Sequence, residues 1–362
     1  MDRPRRSWWV VAAAVAVALL ALVAVGRLQG RNPEEGDGQP LGSTDGIAAA
    51  SGLRVAGRVR LPGEPATVAV GEGAVWVLLQ HGVLLRMDPD RHQLTGRLEV
   101  GRPDGGPVAG PLAVGEGAVW VGVRDRDGEA TIRVDPVSLR VTTRLGGHVW
   151  AAANGTLWSY CCRRGQKVTG FGRVDARTLR PRPPLVVTDG SGRRQPVGPF
   201  AVSREAVWAV QPPEGEGVWR VPLGGGAARA VRVSDRVWGL AADASAAWVL
   251  SGGVDPGSQP DGSGRLRRLD PHTAGVTAAT PLPDLVTSLA VGPVIGGGAV
   301  WLAGAYAGQQ QGYGVLLRVD PASGRVTGWL RSLLVFSPVL AAGPRGAWVS
   351  TGGPELLHVV EA

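Results

Sequence analysis

The sequence predicts an all-β, seven-bladed β-propeller of four-stranded blades with a strand-swapped closure, preceded by one N-terminal transmembrane helix. Three observations carry this. A unit with one tryptophan recurs seven times, a segment before the first unit imitates the strand that the last unit lacks, and residues 7–26 form one uncharged apolar run.

The apolar run comes first in the chain. SWWVVAAAVAVALLALVAVG has no charge between Arg6 and Arg27, and as a helix it spans roughly 30 Å, the thickness of a bilayer core. Arg3, Arg5 and Arg6 precede it, whereas Arg27 and Arg31 soon give way to Glu34, Glu35 and Asp37. The positive-inside rule therefore assigns residues 1–6 to a cytoplasmic stub, with the rest of the chain extracytoplasmic. A cleaved signal peptide is the rival reading, with Ala24-Val25-Gly26 as a small-residue cleavage site, but the run exceeds the usual apolar length of such signals. Residues 27–52 are rich in Gly, Pro and small polar residues without apolar periodicity, and so read as a flexible linker with a reach of roughly 30 Å.

The repeat occupies residues 53–362. Each unit reads as LAVGEGAVWV, a variable stretch, L-x-R-V-D-P, and an apolar segment ending in V-T-x-x-L. Its tryptophans are Trp76, Trp120, Trp158, Trp208, Trp248, Trp301 and Trp348, spaced by 38 to 53 residues, which matches the length of a propeller blade. Residues 67–70 and 74–79 are apolar runs too short for helices and are separated by Gly71-Glu72-Gly73. They read as the two inner strands of a blade, buried on both faces and joined by a hairpin turn. Asp88-Pro89, Asp135-Pro136, Asp270-Pro271 and Asp320-Pro321 mark the turn between the third and fourth strands, because Asp accepts bonds from the following amides and Pro pre-sets φ. Asn154-Gly155 has the form of a glycosylation site, but between two apolar strands it signals a type I′ hairpin.

The last unit supplies three strands before the chain ends at Ala362, and residues 54–59 imitate the fourth-strand segment 93–98. Pairing the two closes the ring and removes its open sheet edges.

Composition narrows the function classes. A hydrophobic fraction of 44% excludes wholesale disorder. The net charge of +8 rests on arginine, with Lys167 the one lysine; a compositional bias of that kind argues against a nucleic-acid partner. No Gly-x-Ser-x-Gly, His-Glu-x-x-His or Walker-type lysine is present.

AVGEGAVWV (residues 113–121) and LLRVDPASGRVT (residues 316–327) resemble the broad bacterial propeller group of virginiamycin B lyase-like, YVTN-type and quinoprotein-like repeats. The resemblance covers residues 53–362. It implies the propeller fold but no single activity, because that group holds lyases, dehydrogenases, sensors and binding modules. A lyase of the virginiamycin B type would need a rim histidine with metal-binding carboxylates and a divalent cation, and His148 is the catalytic candidate. A quinoprotein would set a disulfide ring beside its cofactor, yet residues 320–329 only loosely imitate the quinoprotein tryptophan docking repeat.

Ligand-binding candidates lie on the rim that gathers the loops between strands two and three and between successive blades. They are His81, Arg124, Tyr160, Arg163, Arg164, Tyr306, Gln309 and Tyr313, with residues 159–170, 187–199, 251–265 and 303–314 read as long loops. Arg163, Arg164, Lys167, Arg193 and Arg194 form a basic patch suited to anionic polymers. The adjacent Cys161 and Cys162 read as a vicinal disulfide stapling the loop or as two free thiols. The run Asp125-Arg126-Asp127-Gly128-Glu129 is a truncated calcium-loop pattern and reads as a solvated turn, so no metal site and no cofactor are assigned. The leading expectation is a membrane-anchored propeller that binds an envelope polymer, peptide or protein; the alternative is the metal-dependent lyase.

Overall fold

The structure, a computed structural model, describes residues 47–101, 110–125, 128–212, 216–233, 236–252, 264–282, 288–307, 312–332 and 339–362. The proposed transmembrane helix, residues 7–26, lies outside them. No helix among the described residues is long and apolar enough to cross a membrane.

Two strands, β1 (Ile47–Ser51) and β2 (Leu53–Arg60), precede the first blade. Blade one is β3 (Pro65–Gly71), β4 (Ala74–Leu79), β5 (Val83–Asp88) and β6 (Gln93–Glu99). Blade two is β7 (Leu112–Gly115), β8 (Ala118–Asp125), β9 (Gly128–Val134) and β10 (Val141–Gly146). Blade three is β11 (Ala151–Ala153), β12 (Thr156–Arg164), β13 (Lys167–Asp175) and β14 (Pro181–Val186). Blade four is β15 (Phe200–Val202), β16 (Ala206–Val210), β17 (Gly217–Pro222) and β18 (Arg229–Arg232). Blade five is β19 (Val237–Ala242), β20 (Ala247–Ser251), β21 (Arg265–Leu269) and β22 (Val276–Pro281). Blade six is β23 (Ser288–Gly296), β24 (Ala299–Ala307), β25 (Gly312–Val319) and β26 (Val326–Ser332). Blade seven holds β27 (Leu340–Gly343), β28 (Gly346–Ser350) and β29 (Glu355–Glu361). Each sheet is an antiparallel meander, and β2 pairs with β29 as the fourth strand of blade seven, with Val55 opposite Val359 and Val59 opposite Leu356. The strand-swapped closure is therefore present.

The repeat tryptophan is what joins one blade to the next. Trp76 packs with Val119 and Val121 of blade two, Trp158 with Val207 and Ala209 of blade four, and Trp301 with Ala347 and Val349 of blade seven. Trp348 packs with Val75 and Val77 of blade one, which completes the circle. All seven indoles are buried, each removing on the order of 200 Å² from water, or about 5 kcal/mol of apolar burial. Burial would orphan the indole N–H, and the repeat answers with the last residue of the innermost strand. Trp76, Trp120, Trp158 and Trp301 donate to the carbonyls of Gly71, Gly115, Ala153 and Gly296 at 3.0, 3.2, 3.2 and 3.1 Å.

One face of the ring gathers the hairpins between the first and second strands and the Asp turns between the third and fourth. The hairpin residues Glu72-Gly73, Glu116-Gly117 and Asn154-Gly155 all have positive φ, as a type I′ turn demands. The Asp turns behave alike in five blades. Oδ1 of Asp88 accepts the amides of Asp90 and Arg91, and Asp175 does the same with Arg177 and Thr178 even though Ala176 replaces the proline. Seams are stitched on this turn face by polar bonds between blades. Glu72 accepts the amide of Gly117, Glu116 accepts that of Gly155, and Arg86 donates to the carbonyls of Pro136 and Val137.

Two expectations need correction. Ile47–Ser51, assigned to the linker, is a strand: β1 pairs with β26 and gives the blade-six sheet a fifth member. Its run of small residues has no period to announce a strand, and what recruits it is the free outer edge of β26. Residues 159–170 and, among the described residues, 303–307 and 312–314 are likewise not long loops. They belong to the ends of β12 with β13 and of β24 with β25, which pair as long hairpins. Polar and glycine residues interrupt the apolar run there, which is why the sequence does not mark these ends as strand.

Candidate binding surface on blades two and three

The opposite, loop face carries the candidate residues, and the structure gathers several of them around the seam between blades two and three. The segment joining β10 to β11 is fixed by Thr131. Fully buried on β9, its hydroxyl donates to the carbonyl of Gly147 at 2.8 Å and accepts the amide of Val149 at 2.9 Å. The amide of Trp150 donates to the carbonyl of Trp158 at 2.8 Å. His148 and Trp150 therefore project from a braced backbone.

His148 is largely buried, with Nε2 3.4 Å from the carbonyl of Val123 and Nδ1 3.9 Å from Glu129. Glu129 in turn accepts from Arg124 at 2.6 Å. The hydrogen bond from Arg124 lowers the Glu129 carboxyl below its usual range, more than its partial burial raises it; the charges of His148, Arg124 and Arg163 lower it further. Nothing among the described residues supports the metal-dependent lyase. Among the described residues His148 faces one carboxylate, Glu129, already held by a guanidinium, and no group of three or more His, Cys, Asp or Glu is placed to hold a metal.

Trp150 is 49% exposed, against 2% for Trp158 eight residues later. It meets His148 edge-on at 6.4 Å and Tyr160 edge-on at 5.5 Å. Tyr160 is backed by Phe200 at 5.2 Å and by Phe171 at 6.3 Å, and its hydroxyl donates to the carbonyl of Gly198 at 3.2 Å. Burial pushes the Tyr160 hydroxyl up to about 12. Behind one exposed indole stands an aromatic stack rooted in the seam between blades three and four.

Tyr160 is followed on β12 by Cys161 and Cys162, whose sulfurs are bonded to each other, with Cα atoms 3.8 Å apart. Cys162 has φ of 62°, and its carbonyl accepts a bond from the hydroxyl of Thr169. Arg163 and Arg164 then present two exposed guanidiniums at the hairpin tip beside Lys167.

The remaining candidates do not join this group. His81 is exposed on blade one, its ring against Gly63. Tyr306 and Tyr313 are opposed across β24 and β25 on blade six, and Gln309 lies outside the described residues, as do Arg126 and Asp127 of the calcium-like run. Trp329, the last residue of the loosely quinoprotein-like segment, packs into the seam between blades five and six. Sequence reasoning missed Trp150, Glu129 and Thr131. Trp150 is off the register of the repeat tryptophans, but register alone does not single it out, because Trp219, Trp238 and Trp329 are also off-register and pack against the core.

No protein-family model matches the chain, and no curated protein matches it. Solved structures do. The WD40 domain of Pan2 from Neurospora crassa superposes with a TM-score of 0.57 at 8% identity, covering 85% of this chain and 94% of that one. The β-propeller domain of Cps50 (Swd1) from Myceliophteria thermophila superposes with a TM-score of 0.60 at 9% identity, covering 86% and 100%. The likeness is one of fold. It supports the seven-bladed propeller and leaves the function of the loop face to be argued from its own residues.

Proposed function

We propose that this chain is a binding propeller that presents the loop face of blades two and three to a peptide or protein partner. We further propose that residues 7–26 anchor it in the cell membrane with the propeller on the extracytoplasmic side. The observation that carries the binding reading is the half-exposed Trp150, backed by His148 and Tyr160 on the face that also presents Arg124 and Arg163. Tryptophan and arginine dominate binding energy where they are pre-ordered and desolvated by a partner, and a braced indole loses little conformational entropy on docking. The Arg124–Glu129 pair at the edge of the surface supplies orientation more than affinity. The repeat motifs favour the bacterial group named above as the background of the chain, and the length and flanking charges of residues 7–26 support the anchor.

The test is photo-crosslinking in cells. A benzophenone amino acid placed at position 150 is expected to give a discrete protein adduct that Arg163→Glu abolishes. The same label at Val137, 80% exposed on the turn face, gives none. Identical adduct patterns from both positions, or none from position 150, would sink the binding reading.

A further inference from the structure

We propose that the turn-face groove at the closing seam, between blades seven and one, binds an acidic peptide, taking its carboxylate where the seams after blades one and two take a glutamate of the chain itself. This site is on the opposite face from Trp150 and does not rest on the reading above.

The argument comes from the repeat. In the first two seams, the residue four places before the blade tryptophan sends a carboxylate to the next blade. Glu72 accepts the amide of Gly117 at 3.0 Å, and Glu116 accepts that of Gly155 at 2.9 Å. In the third, Asn154 fills the same role by donating to the carbonyl of Ser203 at 2.8 Å. In the closing seam this position is Pro344. The proline side chain carries no acceptor, and its ring holds φ near −65°, whereas Glu72 and Glu116 have φ of 49° and 59°. Gly73 is the counterpart of Gly117 and Gly155, three places before its tryptophan, and among the described residues its amide receives no such carboxylate.

The seam is correspondingly open. A groove of about 440 Å³ lies there, with Val70, Ala74, Pro89 and Pro344 as apolar walls and Gly73 in its lining. That volume lies within the range of ligand pockets. Its charged groups are Glu72, Asp90 and Arg345. Glu72 is committed to Gly117, and Asp90 is ion-paired with Arg345. A carboxylate beside Glu72 has a precedent in the chain, because Glu72 itself reaches the blade-two turn that carries Glu116, while Glu116 is committed onward to Gly155. Arg345 adds a cation where blades one and two have Gly73 and Gly117. A peptide with a glutamate in a glycine-flanked turn next to a small apolar residue therefore meets an amide donor, an apolar wall and the guanidinium of Arg345, which it would share with Asp90.

The test uses the full chain and a fluorescein-labelled cyclic hexapeptide of sequence VGEGAV, copied from residues 114–119, with its glutamate-to-glutamine form as control. Saturable binding of the first peptide, at least tenfold weaker binding of the second, and loss of binding in the folded Pro344→Glu/Arg345→Gly variant are expected. That variant restores Gly-Glu-Gly to blade seven. No binding by the unaltered chain, equal binding of the two peptides, or undiminished binding by the folded double variant would overturn the proposal. If the double variant does not fold, Arg345→Ala with an unchanged circular dichroism spectrum takes its place: at least fivefold weaker binding supports the site, and unchanged affinity overturns it.

Discussion

The imidazole of His358 lies flat on the indole of Trp348, with ring centroids 4.3 Å apart and planes 2° apart, and its Nδ1 is 2.8 Å from Nε2 of His92. Three pieces of chain meet there. His358 is on β29, His92 is in the first Asp turn, and Gly57 of the closing strand sits opposite His358 with the His92 ring against it. The ring of blades is thus locked where its two ends join.

This lock should weaken in acid. Burial first, then His92 and the charges of Arg345 and Arg54, push His358 down to about 4. Between that value and the usual 6.5 the unfolded chain binds a proton that the folded chain refuses, so stability rises with pH across the window. The contribution is complete above pH 6.5, falls as pH drops toward 4, and amounts to at most about 3 kcal/mol. Denaturant unfolding at pH 7.5 and 4.5 is expected to show this loss, and His358→Gln should flatten the dependence; an unchanged slope would count against it.

Gly57→Val should loosen the closure. A Cβ at Gly57 would lie 2.6 Å from the His92 ring, and overpacking of this kind costs about 1 to 3 kcal/mol. A lower Tm is expected, together with faster appearance of dimers on size-exclusion chromatography as the edge of β29 becomes available for pairing.

The repeat tryptophans should not be equivalent. Trp120 donates to Gly115, whereas the buried Nε1 of Trp248 has no partner among the described residues. Trp120→Phe loses packing and leaves an acceptor unpaired, while Trp248→Phe loses packing and removes an unsatisfied donor. The first is expected to cost more by about 1 to 2 kcal/mol in equilibrium unfolding.

Tyr160 should ionise late. Of the three tyrosines in the chain, Tyr160 is held by burial at about 12. Absorbance at the phenolate band should show a phase well above pH 11 that Tyr160→Phe removes. Because the folded value is raised for an acid, the associated stability is present below pH 10 and is lost as pH climbs toward 12.

The ring was legible in the chain because its signals are local and repeated. An apolar pair of short runs, a two-residue turn and an aspartate in the next turn each act within ten residues, and the recurrence of most of them from blade to blade reinforces the reading. The closure was legible for the same reason, since residues 54–59 copy residues 93–98. The loop face was less so. Arg124, Tyr160 and Arg163 are named by their chemistry, but what brings them to one seam is the buried hydroxyl of Thr131 and the length of the β12–β13 hairpin, neither of which has a pattern. The contact between His92 and His358 spans 266 residues and depends on the ring being shut before either histidine meets the other.

β1 gives the assembly a mechanical consequence. It lies along the outer margin of blade six and is joined to β2 through Gly52. A tug arriving along the chain from the amino-terminal side must therefore peel β1 from β26 before any load reaches β2. Four residues of expendable pairing stand between traction from that side and rupture of the ring, which makes β1 a fuse.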